Sequence, residues 1–333
     1  MSSLSDKLKS SFAAQSNLPM MQNKDAIIDS IRNNKVTILT SETGSGKTTL
    51  TPLFCLEDAL NNEDAGMIMC TQPRKLAATS VAKQVARQIG VKVGEEVGYA
   101  VRFDKKMTGN TRVLYTTDGH LLQQMTNDSN LKPCSYILVD EVHERSVPTE
   151  LLIAMLKIVV DRRNDLKLVI MSATLNAGKL SAFFNDAPIV TLTGRQFQVR
   201  IAYMSEPVLN VTMTVIATVL HIHKTKPGGD ILVFMRGADE IEACPEAERL
   251  TALPLYSALQ GAEDEVFSSS TDRKEAYDKI MLAYATPKIM GSNLNEPVLL
   301  MMKAGFTDIL NVYMVDKFAP EALLRSIDEL LSM

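Results

Sequence analysis

The stretch VTILTSETGSGKTTLTPLF, residues 36–54, runs from an apolar, strand-like segment into a Gly, Ser and Thr cluster. A lysine and two threonines then open a helix-like pattern. The spacing nearly meets G-x-x-x-x-G-K-[ST], with Ser41 in the first glycine's place and Gly44, Gly46, Lys47 and Thr48 fitting. These residue types suit a polyphosphate. Glycines let backbone N–H groups curl around phosphate oxygens, and the following helix turns its positive end on them. Lys47 is placed to neutralise the β- and γ-phosphates, and the Thr48 hydroxyl to ligand Mg²⁺. Ser45 and Thr49 flank them in the same turn. A ligand-free Gly-rich turn is the plainer alternative, but a strand before it and a helix after it favour a triphosphate, with ATP and Mg²⁺ as the expected pair.

A triphosphate site needs an acid at the end of another core strand. SYILVDEVHER supplies one: Asp140 and Glu141 follow a buried apolar run, at the edge where open α/β sheets place ligands. Asp140 is assigned to the metal and Glu141 to the attacking water. An acidic pair capping the next helix is the alternative reading. A third strand-like run, VIMSATL, ends in Ser172, Ala173 and Thr174, whose short hydroxyl side chains can pass hydrogen bonds on from the γ-phosphate region.

The elements that must carry these residues alternate. Apolar β-rich runs at 36–40, 66–70, 112–116, 136–139 and 166–171 are separated by helical patterns such as 75–89 and 149–160. Runs of this kind between amphipathic helices predict an α/β fold with a parallel sheet covered on both faces. A second alternation starts near Ala187, with strands expected at 189–192, 199–203, 230–235 and 252–256 and a helix at 211–223. The expected divisions are a disordered, Ser-rich segment over 1–20, a nucleotide-binding domain over 21–186, a partial second α/β domain over 187–270, and a helical segment over 271–333.

The chain has 333 residues, 46% hydrophobic and 22% charged, enough for real cores. Aromatics are 5% with no Trp, which argues against a carbohydrate platform or an RNA-stacking sheet. The net charge of −4 means that any polyanion site must be local. Cys55, Cys70, Cys134 and Cys244 show no CxxC spacing and read as buried, reduced thiols. No apolar run approaches the ~20 residues of a membrane span, and no signal peptide is visible, so a soluble intracellular protein without membrane association is expected.

Taken in order, SETGSGKTTL, TQPRKLAATSVA, GEEVGYAVRF, TTDGHLL, DEVHERSV, MSATL, DILVFMRGADEIE and LPLYSAL resemble one family, the DEAH-box ATP-dependent RNA helicases of superfamily 2. The branch acting in pre-mRNA splicing and ribosome biogenesis is the nearest. The resemblance covers about residues 18–267. It implies a RecA-like P-loop NTPase domain, an incomplete second RecA-like domain, and a C-terminal helical stretch similar to the start of the family's winged-helix region. By the same resemblance, Gly44, Ser45, Gly46, Lys47, Thr48, Thr49, Asp140, Glu141 and His143 form the ATP site, with Ser172 and Thr174 coupling it to RNA. Arg74, Arg102, Phe103, Thr117 and Asp118 lie along a path for single-stranded RNA, read without sequence preference. Protein activators or an RNP are implied partners, and the nucleus the implied location.

The sequence departs from the family after LPLYSALQGAEDEVF. A Thr-Asn-Ile-Ala-Glu-Thr-like motif and a Gln-Arg-x-Gly-Arg-x-Gly-Arg helix are absent from it, and SSSTDRKEAYDK leads directly to the helical segment. In the family, that helix stabilises charge on the transferred phosphoryl group, a contribution of roughly 10³–10⁵ in rate for arginine fingers. Two readings of function therefore stand side by side. One is an RNA-stimulated ATPase and helicase. The other is an ATP- and RNA-binding helicase-like protein, or a truncated isoform, with impaired turnover.

Overall fold

The computed structural model describes residues 3–42, 44–173, 177–192, 200–202, 204, 210–235, 237–242, 294–303, 314–315 and 320–331. They fall into two units: residues 1–196 with 277–333, and residues 197–276.

The first unit is built on one eight-stranded sheet. Its strands are β1 (Val36–Ser41), β2 (Met67–Gln72), β3 (Val97–Val101), β4 (Asp104–Lys106), β5 (Val113–Thr117), β6 (Cys134–Val139), β7 (Lys167–Ser172) and β8 (Ile189–Leu192). The spatial order is β4-β3-β5-β2-β6-β7-β1-β8. Every pairing is parallel except the β3–β4 hairpin. The parallel α/β fold is that of a RecA-like domain.

The strands read as continuous apolar runs because both faces of the sheet are covered. Ile38, Ile137 and Ile170 point into one core, while their neighbours Leu39, Leu138 and Val169 point into the other. The helices that cover these faces include α3 (Lys24–Asn33), α4 (Lys47–Asn61), α5 (Lys75–Gln88), α6 (Asp118–Met125), α7 (Val147–Arg162) and α8 (Ala177–Phe183). Cys55, Cys70 and Cys134 are buried free thiols, as expected; Cys244 lies outside the described residues. Among the described residues, no helix is long and apolar enough to cross a membrane.

Four expectations differ from the structure. Where disorder was expected over 1–20, two helices stand: α1 spans Leu4–Ala14 and α2 spans Pro19–Gln22. Ser3 and Asp6 form a reciprocal capping box that starts α1, and Leu8 and Phe12, one turn apart, bury against the second core. The Phe12 and Phe54 rings meet edge to face, 5.5 Å between centroids, and the Lys24 ammonium sits 4.3 Å from the Phe12 centroid. The second difference is β8, which was expected to open the second domain; it pairs with β1 in the first sheet. Third, β3 and β4 were not anticipated as strands.

The fourth difference lies in the second unit. Its helix α9 (Val211–Thr225) matches the reading and α10 (Ala238–Glu242) follows it, but residues 230–235 form no strand and Leu232 and Phe234 are exposed. Residues 200–202 are likewise not strand, and the strand expected over 252–256 lies outside the described residues. A β-rich run becomes a strand only with neighbours to pair with. The C-terminal helices α11 (Asn295–Lys303) and α12 (Pro320–Leu331) exist as expected, and Leu294, Val298, Met301 and Leu323 join the first unit's core.

Candidate active site

Three loops meet at the carboxyl edge of the sheet because β7 lies between β1 and β6. The loop after β1 carries the phosphate-binding pattern, the loop after β6 carries Asp140 to Ser146, and the strand end at β7 carries Ser172 and Ala173.

The first loop is shaped by two glycines in the left-handed region, Gly44 at φ 82° and Gly46 at φ 92°. A Cβ on Gly46 would also meet Leu50 Cδ1 at 3.0 Å and Leu18 Cδ1 at 3.1 Å. Only glycine satisfies both constraints. Ser41 ends β1, and its hydroxyl lies 2.9 Å from that of Ser45, both buried, so the two ends of the turn are tied together. Thr49 Oγ1 donates to Gly46 O at 3.2 Å, and Tyr115 Oη donates to Thr48 O at 3.1 Å. These bonds hold the first turn of α4 beneath the loop.

Lys47 and Asp140 are 4% and 0% exposed, and their charged atoms Nζ and Oδ1 stand 3.9 Å apart. Two opposite charges are paired here in a place with almost no solvent, where an unpaired charge is costly. Asp140 Oδ2 accepts from Thr48 Oγ1 at 2.5 Å and from Gln72 Nε2 at 2.8 Å, while Oδ1 accepts from Glu141 N at 2.8 Å. Thr48 Oγ1 and Asp140 Oδ2 are hard oxygens held side by side. That donor set fits Mg²⁺, which takes one or two protein oxygens and completes its shell with phosphates and water.

Glu141 adopts a left-handed backbone, φ 53°, at the turn that follows. Burial pushes its carboxyl up to about 7, the Asp140 charge adds to this, and Lys47 and Arg74 oppose it. His143 Nε2 lies 3.2 Å from Glu141 Oε2, and His143 Nδ1 accepts from Ala173 N at 3.3 Å. Because Nδ1 accepts, the imidazole proton sits on Nε2, where it is donated to Glu141. The imidazole thus ties the β6 loop to the end of β7.

The expected RNA-path residues separate into two groups. Arg74 is exposed and its Nη2 meets Glu144 Oε1 at 3.1 Å, at the rim of the site. Arg102 and Phe103 form the turn of the β3–β4 hairpin. Phe103 is 91% exposed at φ 67°, with the Arg102 guanidinium carbon 4.9 Å from its ring centre. Thr117 caps α6 by accepting from His120 N at 3.3 Å. The Asp118 side chain is 1% exposed and accepts from Thr149 Oγ1 at 2.6 Å, so its carboxylate is turned to the interior at the start of α6. Ser172 is buried at the end of β7, and Thr174 lies outside the described residues.

Two residues went unremarked in the sequence reading. Gln72, the second residue of TQPRK, ends β2 and grips Asp140; a polar residue closing a core strand was the available signal. Tyr115 gave none, since its hydroxyl reaches Thr48 only through the strand order.

Residues 21–183 match the family described as DEAD/DEAH box helicase. The probable ATP-dependent RNA helicase DHR2 of Saccharomyces cerevisiae is 42% identical over 226 residues, which cover 68% of this chain and 31% of that protein. The chain therefore spans about a third of that relative's length. Residues 21–183, just under half of the chain, are thus similar to DEAD/DEAH box helicases.

Proposed function

We propose that the chain is an ATP-dependent RNA helicase of DEAH-box type, which hydrolyses ATP at the Lys47–Asp140–Glu141 site and couples the reaction to RNA. The observation that carries this reading is the meeting of Lys47, Thr48, Asp140, Glu141, His143 and Ala173 within hydrogen-bonding or ion-pairing reach of one another. The match to DEAD/DEAH box helicases and the likeness to a yeast RNA helicase support it.

The residues divide the work. Backbone amides of the glycine loop and the start of α4 cradle the phosphates, and Lys47 neutralises their β and γ charge. Thr48 and Asp140 would hold Mg²⁺, which would supply further neutralisation of phosphate charge. Glu141 orients the attacking water and takes its proton, and the Nε2–H of His143 keeps the carboxylate in place. Buried surroundings strengthen each of these interactions relative to water. On the RNA side, Arg74 and Arg102 meet backbone phosphates and Phe103 stacks on a base, a contact worth about 1–3 kcal/mol. The motif order favours RNP remodelling in splicing or ribosome biogenesis, with protein activators, in the nucleus.

The test is ATP turnover with and without single-stranded RNA, in the wild type and in Lys47→Ala. RNA-stimulated hydrolysis that the substitution abolishes supports the helicase reading. A second reading, in which ATP and RNA are held without productive turnover, is favoured by the absence of the Arg-rich helix from the sequence. Nucleotide binding with no stimulated hydrolysis would decide for it.

A further inference from the structure

Asp118 is a buried carboxylate at the start of α6 with no role in phosphate chemistry. The Thr149 and Thr71 hydroxyls both lie against it. A buried charged group is costly, and its presence calls for a reason. The reason suggested by the geometry lies in the first of these contacts. Thr149 Oγ1 donates to Asp118 Oδ2 at 2.6 Å. That commits the only hydrogen of the threonine hydroxyl, so Ser146 Oγ, also 2.6 Å away, is the donor in the next bond. Ser146 Oγ in turn accepts from Thr149 N at 3.3 Å and caps α7. A directional line of hydroxyls therefore runs from Ser146 through Thr149 to Asp118.

The two ends of that line matter. Asp118 directly follows Thr117, the end of β5 and an expected RNA contact. Ser146 closes the loop that carries Glu141 and His143. Glu141 and Arg145, both non-glycine residues in left-handed conformations at φ 53° and 51°, bracket this loop. Such conformations persist only where surroundings impose them, and they collect at switch segments. The loop's far end is imposed here: Arg145 pairs with the buried Glu150, and Ser146 is bonded to Thr149. A displacement of the Thr117–Asp118 corner has a short, bonded route through Thr149 and Ser146 to the loop that aims Glu141.

We propose that Thr149 is a positioning residue that transmits RNA engagement at the Thr117–Asp118 corner to the Glu141–His143 loop, and so sets how strongly RNA stimulates ATP hydrolysis. The inference rests on the RNA-stimulated ATPase reading above. Thr149 touches no substrate; it acts through Asp118 and Ser146. The alternative is that the three groups merely fasten α6 to α7, in which case their loss lowers stability and leaves stimulation unchanged.

The experiment uses the full chain with Thr149→Val, which keeps the shape and removes the hydroxyl, and Thr149→Ser, which restores it. Thr149→Ala replaces the valine variant should that one not fold. Three quantities are read: basal ATP turnover, affinity for a fluorescent oligouridylate, and the stimulation that this RNA produces. Expected for valine are near-wild-type basal turnover and RNA affinity, with stimulation lowered at least about five-fold, the low end of site-to-site coupling. Serine keeps stimulation. Wild-type stimulation in the valine variant, or loss in both variants, overturns the proposal while leaving the helicase reading intact. A wild type that RNA does not stimulate overturns both.

Discussion

Thr48 and Asp140 lie 92 positions apart in sequence, yet the threonine hydroxyl donates to Asp140 Oδ2 at 2.5 Å. Gln72 Nε2 shares that oxygen, and the Glu141 amide holds the other. Asp140 is thus an acceptor on both oxygens. An asparagine has one acceptor oxygen and would turn its NH₂ toward one of these donors. Asp140→Asn should cost about 1–3 kcal/mol of stability through the donor left unmatched. It should also lower turnover by about 10²–10³, the usual loss when a preorganised electrostatic group is removed. Thermal unfolding beside a Mg²⁺ titration of turnover measures both, and wild-type turnover in the variant would contradict the site as drawn.

Ser41 stands where the phosphate-loop pattern has glycine, and its bond to Ser45 explains why the exchange is tolerated. The hydroxyl pair clamps the turn across its base. Ser41→Ala should raise the KM for ATP by about five-fold, the equivalent of one net hydrogen bond of ~1 kcal/mol, with kcat little changed. Ser45→Ala should do the same. The double variant should be no worse than either, since both remove the same bond. Additive losses would show that the two hydroxyls act separately.

The candidate site was more legible than the fold's edges, for physical reasons. Lys47, Thr48, Asp140 and Glu141 sit in short spans whose residue types the chemistry itself demands, so spacing alone revealed them. Gln72 and Tyr115 reach the site only through strand order, which no local pattern encodes. The strand at 189–192 was read correctly as β, but its partner β1 was not, because alternation along a strand does not say which sheet receives it. The burial of the Asp118 side chain was illegible for a related reason: only helix α7, which brings Thr149 to it, encloses the carboxylate. The run 230–235 has a strand's composition and no strand's pairing.

The N-terminal helix offers a direct check on composition as a guide to order. Ser-rich sequence suggested disorder, but the capping box at Ser3 and the Leu8–Phe12 pair specify a docked helix. Phe12→Ala removes a buried ring that contacts Phe54 and lies under the Lys24 ammonium. The expected loss is about 3 kcal/mol, the low end for a buried phenylalanine. Chemical denaturation should show it as a lower midpoint. A midpoint equal to wild type would mean that α1 contributes nothing to the folded unit.

Asp118 also gives the stability a pH dependence with a definite sign. Burial, followed by the charges of Asp140 and Glu144, raises its carboxyl above the ordinary value of 3.8, while the Thr149 and Thr71 hydroxyls oppose the rise. The folded chain therefore keeps this proton over a pH range in which the unfolded chain has lost it. The contribution to stability is complete below pH 3.8 and fades as pH rises through the folded value. Asp118→Asn cannot titrate and keeps an acceptor for Thr149. The melting temperature of the variant minus that of wild type should accordingly rise from pH 4 toward neutrality. A difference that stays flat or falls over that interval would mean that the Asp118 carboxylate is ionised in the folded protein at no cost, and that its burial is compensated by a partner other than Thr149.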